Sequence, residues 1–187
     1  MLTDKFLSMP AFFNEKEEID KLKSAGKNPE EIAKEIALKK ARAKKWKDFR
    51  VIIGADTLIV LDGEIIGKPE NKKEAEEILK KLNRKIHKVI TAVALIDTQG
   101  DKEFVDCDMA EVKINIPESE LSNYIKSRKW EGKAGGYNIE EFKFAKIINK
   151  GDKNTVIGLP INKLKDLFKK AGLEYLIKTD NKGGNYG

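Results

Sequence analysis

An aspartate and a threonine interrupt an otherwise apolar stretch of the chain at Gly54-Ala55-Asp56-Thr57. Hydrolysis of a phosphoanhydride needs a water molecule deprotonated or oriented toward phosphorus, and a divalent metal that offsets the charge on oxygen. A carboxylate at the end of a strand can serve either need. The same four residues are also typical of a turn whose aspartate accepts hydrogen bonds from backbone amides. Taken alone, they favour this simpler interpretation.

Three lysines lie in sequence contexts suited to binding phosphate. Lys68 stands between a glycine and a proline, Lys40 lies near the apolar face of a predicted helix, and Lys133 opens the glycine-rich segment 133–137. Lysine can pair with phosphate oxygens as a point charge, and small residues let the backbone approach a ligand. The glycine spacing excludes a Walker loop. Taken singly, Lys68 and Lys40 are more often solvated surface side chains, and the segment of Lys133 is equally consistent with a glycine-rich connector.

The only histidine and the only cysteine do not suggest a metal or thiol site. A chain with Cys107 as its single cysteine has no intramolecular disulfide and no cysteine-based zinc cluster. His87 lacks a second histidine or a cysteine partner suited to binding zinc, and a lone histidine in a strand is usually structural. We therefore do not expect thiol catalysis.

Composition indicates one globular domain that favours anionic ligands. The chain has 187 residues, 40% of them hydrophobic, with a formal charge of +6. We predict a single domain over residues 1–177 and a flexible tail over residues 178–187. No apolar run approaches the ~20 residues of a membrane span, and no signal-like N-terminus is present. Because the chain has a single cysteine and no such segments, we expect a protein of the reducing cytosol that binds no membrane.

The apolar periodicity predicts an α/β fold, a twisted sheet flanked by helices. Helices are predicted after Asn28 (to about Trp46), after Asn71, Pro117 and Pro160, and over residues 15–23. Strand-like runs occupy residues 51–53, 58–61, 64–66, 87–96, 103–116 and 142–148, and 7–13 is a further candidate. The first two runs flank residues 54–57, and Asp62-Gly63 predicts a hairpin.

Six segments, in order, resemble the Maf family of nucleotide pyrophosphatases. They are residues 36–43, 53–57, 61–69, 87–95, 133–137 and 156–160. The resemblance covers roughly residues 31–168. It implies a twisted mixed β-sheet flanked by helices, as in the Maf and ITPase folds, and a nucleoside triphosphate substrate.

The resemblance also implies roles for individual residues. The enzyme would cleave the bond between the α and β phosphates, releasing a monophosphate and pyrophosphate, with Asp56 as proton acceptor. Lys40, Lys68 and Lys133 would contact phosphates. A divalent cation, Mg²⁺ or Mn²⁺, would lie near Glu15 and Asp56. The resemblance further suggests a homodimer.

The sequence departs from the family pattern at its start. The family opens with a strand and a Ser-x-Ser-Pro-Arg-Arg loop that grips phosphates, whereas Met1-Leu2 match the middle of the family's first helix. The first strand of the fold is accordingly expected to be missing. We predict weak or no turnover by the 187-residue chain and activity in a longer form.

The resemblance links two positions to the choice of nucleobase, and the residues found there point to different bases. Thr57 matches the branch that hydrolyses dTTP and UTP, but that branch has glutamine where this chain has Glu140. Glutamate resembles the branch acting on 7-methyl-GTP. A carboxylate accepts from a guanine edge, whereas glutamine can also donate to a pyrimidine carbonyl. The sequence therefore leaves the base open.

Two other classes of function stay open below the leading one. The first is a non-catalytic regulator of cell division, since the family is linked to division arrest. The second is a basic nucleic-acid-binding module, which the sequence supports poorly because it has no basic stripe with interleaved aromatic residues.

Overall fold

The computed structural model describes residues 7–8, 10–11, 13–43 and 49–177 of the chain. The helices are α1 (Glu15–Ser24), α2 (Pro29–Arg42), α3 (Lys72–Leu82), α4 (Glu118–Lys126), α5 (Lys153–Ile157) and α6 (Ile161–Ala171). The strands are β1 (Val51–Leu61), β2 (Glu64–Ile66), β3 (Ile86–Asp97), β4 (Lys102–Ile114) and β5 (Ala145–Ile147). Two 3₁₀ turns cover Ala134–Gly136 and Glu174–Leu176.

The described strands form one sheet in the order β2-β1-β3-β4-β5, and each neighbouring pair is antiparallel. An isolated bridge between Asn83 and Ile114 adds a parallel contact outside the named strands. Helix α2 packs on one face of β1 and β3, whereas α6 packs on β3 and β4. The predicted α/β class, a sheet flanked by helices, is confirmed.

Strand β1 runs without a break through the position where the sequence suggested a turn. Residues 54–57 pair in register with β3, from Gly54 opposite Ala94 to Thr57 opposite Thr91. A Cβ at Gly54 would lie 2.2 Å from the carbonyl oxygen of Ala37 in α2. The glycine therefore permits close contact between helix and strand. The prediction of a turn at these residues was wrong because a glycine in an apolar run can mark either a turn or a close contact with a neighbouring backbone.

Helix α2 begins with the capping signals that the sequence contains. The Asn28 side chain accepts from the Glu31 amide, and the Glu31 side chain accepts from the Asn28 amide. Pro29 occupies the first helical turn. The helix ends at Arg42, whereas it was predicted to run to about Trp46, and residues 44–48 lie outside the described part of the chain. Its buried face holds the helix flat on β1 and β3.

The second face of the sheet carries the larger hydrophobic core, under α3 and α4. Buried Tyr137 and Phe142 pack within it, and the Tyr137 hydroxyl lies 2.7 Å from Nε2 of buried His87. The prediction that His87 is a structural residue agrees with this placement. Across the part of the chain that is described, no helix has both the length and the apolar character needed to cross a membrane.

Two further predictions need correction near the C-terminal half. The strand predicted over residues 142–148 is only Ala145–Ile147, because the Phe142 amide donates to the Asn138 carbonyl and closes a turn. The short helix α5, begun by the Asp152 cap, was not predicted. The described positions within residues 7–13 lie in no strand, and the tail 178–187 is outside the described residues.

Candidate active site

A pocket of about 250 Å³ opens at the free edge of β1. Strand β2 pairs with β1 only at Ile59–Leu61, so among the described residues the rest of this edge has no strand partner. Side chains alternate along a strand, which places Asp56 on the face under α2 and Thr57 on the opposite face. Both side chains line the pocket. This edge pocket therefore joins the two faces of the sheet.

The edge pocket has one polar wall and one apolar wall. The polar wall is formed by Lys40, Asp56, Thr57, Lys68, Lys133 and Asn138. The apolar wall is formed by Ile59, Ala134, Tyr137, Val156 and Ile157. All three lysines predicted to bind phosphate thus meet Asp56 in one cavity, although they come from separate segments of the chain.

A chain of ion pairs links the carboxylates and lysines at the floor of the pocket. Lys40 Nζ lies 2.5 Å from Asp56 Oδ1 and 2.8 Å from Glu15 Oε2. Lys68 Nζ lies 2.5 Å from Glu15 Oε1. Glu15 begins helix α1 and stands behind the two lysines. Its carboxylate therefore holds both ammonium groups in place beside Asp56.

Asp56 is the most enclosed member of this network, with a side chain 2% exposed. Its Oδ2 atom is buried and has no hydrogen-bond partner among the described residues. Burial raises the pKa of Asp56 above its ordinary value, and Lys40 only partly offsets that effect. The side chain is thus a carboxylate with one free oxygen and an increased affinity for a proton.

Two further members of the network, Glu15 and Lys40, are biased toward their charged forms. Burial alone would raise the pKa of Glu15, but Lys40 and Lys68 outweigh it and the net pKa is lowered. Burial alone would lower the pKa of Lys40, but Asp56 and Glu15 outweigh it and raise it. Asp56 and Lys40 thus both shift upward, because Asp56 is the more deeply buried partner. Burial thus favours the protonated form of Asp56, whereas the two lysines favour the ionised form of Glu15.

Two loops bring Lys68 and Lys133 to the mouth of the pocket. The Gly135 amide donates to the Gly67 carbonyl over 3.1 Å, which ties the two loops together. Gly135 has φ +66, and a Cβ there would lie 3.0 Å from Ile59. Lys133 pairs with Glu141 at 3.0 Å on the outer side. The glycine-rich segment therefore places its lysine beside the exit from β2.

Comparison with known proteins identifies the family. A family profile described as Maf-like protein matches residues 2–171. The chain belongs to the Maf-like family. The resemblance noted from the six sequence segments is confirmed.

Several curated relatives of this Maf-like chain are named "dTTP/UTP pyrophosphatase". That of Dictyoglomus thermophilum is 39% identical over 155 residues, which is 80% of this chain and 79% of the relative. That of Clostridioides difficile is 35% identical over 158 residues, 83% of this chain and 81% of the relative. That of Aquifex aeolicus is 40% identical over 146 residues, 75% of each chain.

Thr57 of this Maf-like chain is held by residues that the sequence did not single out. Its hydroxyl lies 3.0 Å from the Thr91 hydroxyl on the neighbouring strand. Thr91 in turn donates to the Thr155 carbonyl over 2.6 Å, and the Thr155 hydroxyl donates to Asp108 Oδ2 over 2.6 Å. These contacts dock the short helix α5 over the sheet. Their residues are distant in sequence, so no local pattern reveals them.

Glu140, the second residue linked to the base, lies outside the wall of the edge pocket. Its carboxylate is 3.4 Å from Lys153 Nζ, and its side chain is 48% exposed. Asn138, two residues earlier, lines the pocket instead. The Asn138 side chain accepts from the Glu140 amide over 2.8 Å, which turns the backbone between them. Sequence reasoning did not consider Asn138.

The carboxylates of the Maf-like site suit a divalent cation that is shared with a substrate. Within the described residues, no three His, Cys, Asp or Glu side chains are placed to hold a metal ion together. Asp56 Oδ2 is free, whereas both Glu15 oxygens contact lysines. One or two carboxylates completed by phosphate oxygens and water are typical of Mg²⁺ sites in nucleotide enzymes. The residues present fit such an ion.

Proposed function

We propose that this chain hydrolyses the α–β phosphoanhydride of dTTP and UTP to the nucleoside monophosphate and pyrophosphate. The observation that supports this most directly is the placement of Asp56. It is a buried carboxylate with one oxygen that has no hydrogen-bond partner among the described residues, at the floor of a pocket lined by three lysines. Family membership and the relatives' names support a hydrolase of nucleotide phosphoanhydride bonds.

The charge of the edge pocket suits a polyphosphate. Lys40, Lys68 and Lys133 line it against the single carboxylate of Asp56. Positioning and charge compensation supply most of the rate acceleration in phosphoryl chemistry. The lysines bind and orient the triphosphate. Without a triphosphate, Glu15 supplies the negative charge that pairs with Lys40 and Lys68, and a bound triphosphate takes over that role. Nucleoside monophosphates lack most of that charge and would bind less tightly.

Asp56 accepts the proton of the attacking water. Its free Oδ2 is the atom that can accept, and Lys40 fixes the other oxygen. The raised pKa increases the basicity of the ionised carboxylate, which favours transfer of the proton from water. A positioned general base of this kind contributes about 10²–10⁴-fold to a rate.

We also propose that Mg²⁺ or Mn²⁺ assists the reaction. Once a triphosphate replaces Glu15 as the partner of Lys40 and Lys68, the Glu15 carboxylate is released from both lysines. That carboxylate and phosphate oxygens would then hold the ion beside Asp56, whose Oδ2 accepts the proton. Such an ion, when bound, offsets charge on the phosphate oxygens and lowers the pKa of bound water. The lysine and carboxylate arrangement is compatible with one ion between protein and substrate. Omission of divalent cation is expected to abolish pyrophosphate release and to be reversed by Mg²⁺.

The base is assigned to the face of β1 that carries Thr57. Ile59, Tyr137, Val156 and Ile157 form the apolar wall on that side, away from the floor at Asp56. Thr57 and the relatives' names favour thymine and uracil. Glu140 is the one position that favours 7-methyl-GTP, and its side chain pairs with Lys153 at the surface.

The experiment is a comparison of pyrophosphate release from dTTP, UTP, dCTP and 7-methyl-GTP in the presence of Mg²⁺. We expect dTTP and UTP to have the highest kcat/KM of the four, a ranking that can be read even at the weak turnover predicted from the sequence. A clear preference for 7-methyl-GTP would refute the proposed base and support the role of Glu140. The absence of pyrophosphate release from every nucleotide, together with the absence of nucleotide binding, would refute the proposed function.

A further inference from the structure

The hydroxyl of Thr57 can only accept a hydrogen bond from a ligand. A hydroxyl has one proton. Thr91 donates its proton to the Thr155 carbonyl over 2.6 Å, so the 3.0 Å contact between the two threonines must be donated by Thr57. A Cβ at Gly158 would lie 3.2 Å from Thr57 Oγ1, and glycine there leaves the oxygen open. Thr57 therefore presents lone pairs, and no proton, to the edge pocket.

The side-chain amide of Asn138 has the opposite character. Its Oδ1 accepts from the Glu140 amide over 2.8 Å, and this bond fixes which end of the amide is oxygen. Its Nδ2 group has no hydrogen-bond partner in the described part of the chain, and the residue is half-buried in the pocket wall. An amide nitrogen carries two donors. Asn138 therefore presents N–H groups to a ligand.

One acceptor and one donor match the imide edge of uracil and thymine. That edge carries an N3–H donor flanked by two carbonyl acceptors. Cytosine instead has an unprotonated N3 beside an amino group, so in the pose of uracil its N3 lone pair would face the lone pairs of Thr57. A site that leaves polar groups unpaired discriminates strongly against the mismatched ligand.

We infer that Asn138 and Thr57 together read the pyrimidine imide edge, Asn138 as donor and Thr57 as acceptor. The inference rests on the proposed function and names the residues behind its base preference. Asn138 thereby supplies the amide expected of a glutamine at position 140. The Glu140 carboxylate, paired with Lys153 and half exposed, stands outside the pocket wall.

Thr91 and Thr155 act through Thr57 as positioning residues. Both are fully buried, and Asp108 accepts from the Thr155 hydroxyl over 2.6 Å. Replacement of Thr91 by valine removes the acceptor for the Thr57 proton. Thr57 could then turn that proton toward the ligand, and the distinction between uracil and cytosine would weaken.

The test is the affinity of the Mg²⁺ complexes of the α,β-imido analogues of UTP and CTP, measured by calorimetry. Asn138→Asp keeps the oxygen that accepts from the Glu140 amide but removes the amide donors, and Asn138→Ala removes them without adding charge or leaving a hydroxyl donor. We expect the unmodified chain to prefer the UTP analogue by roughly tenfold or more. Both variants, and Thr91→Val, should lose most of that preference. The ratio of the two affinities is read because added charge weakens both nucleotides alike.

Two comparison variants separate the outcomes. Asn123→Asp makes the same charge change at an exposed position of α4 and should leave the ratio unaltered. Glu140→Gln tests the competing residue. The inference is overturned if Asn138→Asp and Asn138→Ala retain the preference, if Glu140→Gln changes it more than they do, or if the unmodified chain binds both analogues equally. Failure to bind either analogue would refute the proposed function as well.

Discussion

Lys40 on helix α2 donates to Asp56 on strand β1 across 2.5 Å, and this contact couples the packing of the fold to its chemistry. The helix can approach the strand because Gly54, two residues before Asp56, has no side chain. The same lysine reaches Glu15 at 2.8 Å. The geometry of the candidate active site therefore depends on how closely α2 packs on β1.

Replacement of Gly54 by alanine should damage both stability and the site. The new Cβ would lie 2.2 Å from the Ala37 carbonyl oxygen and 2.7 Å from the Ala41 amide nitrogen. These are backbone atoms, so the helix itself must shift, and overpacking of this kind costs about 1–3 kcal/mol. We expect urea denaturation to reveal this loss.

Gly67→Ala is the matched control for that variant. A Cβ at Gly67 would meet nothing within 4 Å. The control should unfold within about 0.5 kcal/mol of the unmodified chain, as surface substitutions usually do. Equal stability of the two variants would show that contact between α2 and Gly54 is not as close as described.

Replacement of Lys40 by glutamine should move the acidic limb of the pH–rate profile. Lys40 is the chief group that lowers the pKa of Asp56 against the effect of burial. Without its charge, the pKa of Asp56 rises further, so activity should fall at a higher pH as the solution is acidified. The measurement is kcat as a function of pH for both proteins. An unchanged acidic limb would mean that the group titrating there is not Asp56.

His87 should make the fold sensitive to mild acid. Burial lowers the pKa of this histidine from 6.5 to about 4. The folded chain therefore binds a proton less readily than the unfolded chain, so the neutral histidine stabilises the fold above the unfolded pKa and the stability declines as pH falls toward the folded pKa. From linkage, the unmodified chain should lose about 2 kcal/mol between about pH 7 and pH 5 through this group.

The control for the histidine prediction is His87→Gln, which has no ionisable group but keeps a partner for the Tyr137 hydroxyl. Chemical denaturation of both proteins at the two pH values isolates the histidine, because all other titrating groups are shared. Parallel losses of stability in the two proteins would contradict the assignment of a depressed pKa to His87.

Local signals in the sequence were sufficient for much of the fold. The Asn28 and Asn71 caps both accept the hydrogen bonds expected of them, and the Asp62-Gly63 turn joins β1 to β2. Gly54 was misread because a glycine in an apolar run is consistent with a turn or with a close tertiary contact. Only the position of α2 distinguishes the two, and that position is not a local property.

The candidate site could be predicted in its charged residues but not in its neutral ones. Asp56 and the three lysines are conspicuous in the sequence because a charged side chain within or beside an apolar segment needs an oppositely charged group or ligand nearby. Thr91 and Asn138 gain their roles from hydrogen bonds to Thr155 and Glu140. Common polar residues of this kind carry no signal until the loops and strands are placed together.

The direct test of the central claim is Asp56→Asn, assayed for pyrophosphate release from dTTP and UTP with Mg²⁺ beside the unmodified chain at equal concentration. Because burial raises the pKa of Asp56, the neutral amide should fold at least as stably, and thermal unfolding serves as the control. The predicted result is a folded variant whose release falls by about 10²-fold or more. A folded Asp56→Asn protein that releases pyrophosphate as fast as the unmodified chain would contradict the assignment of the edge pocket as the active site.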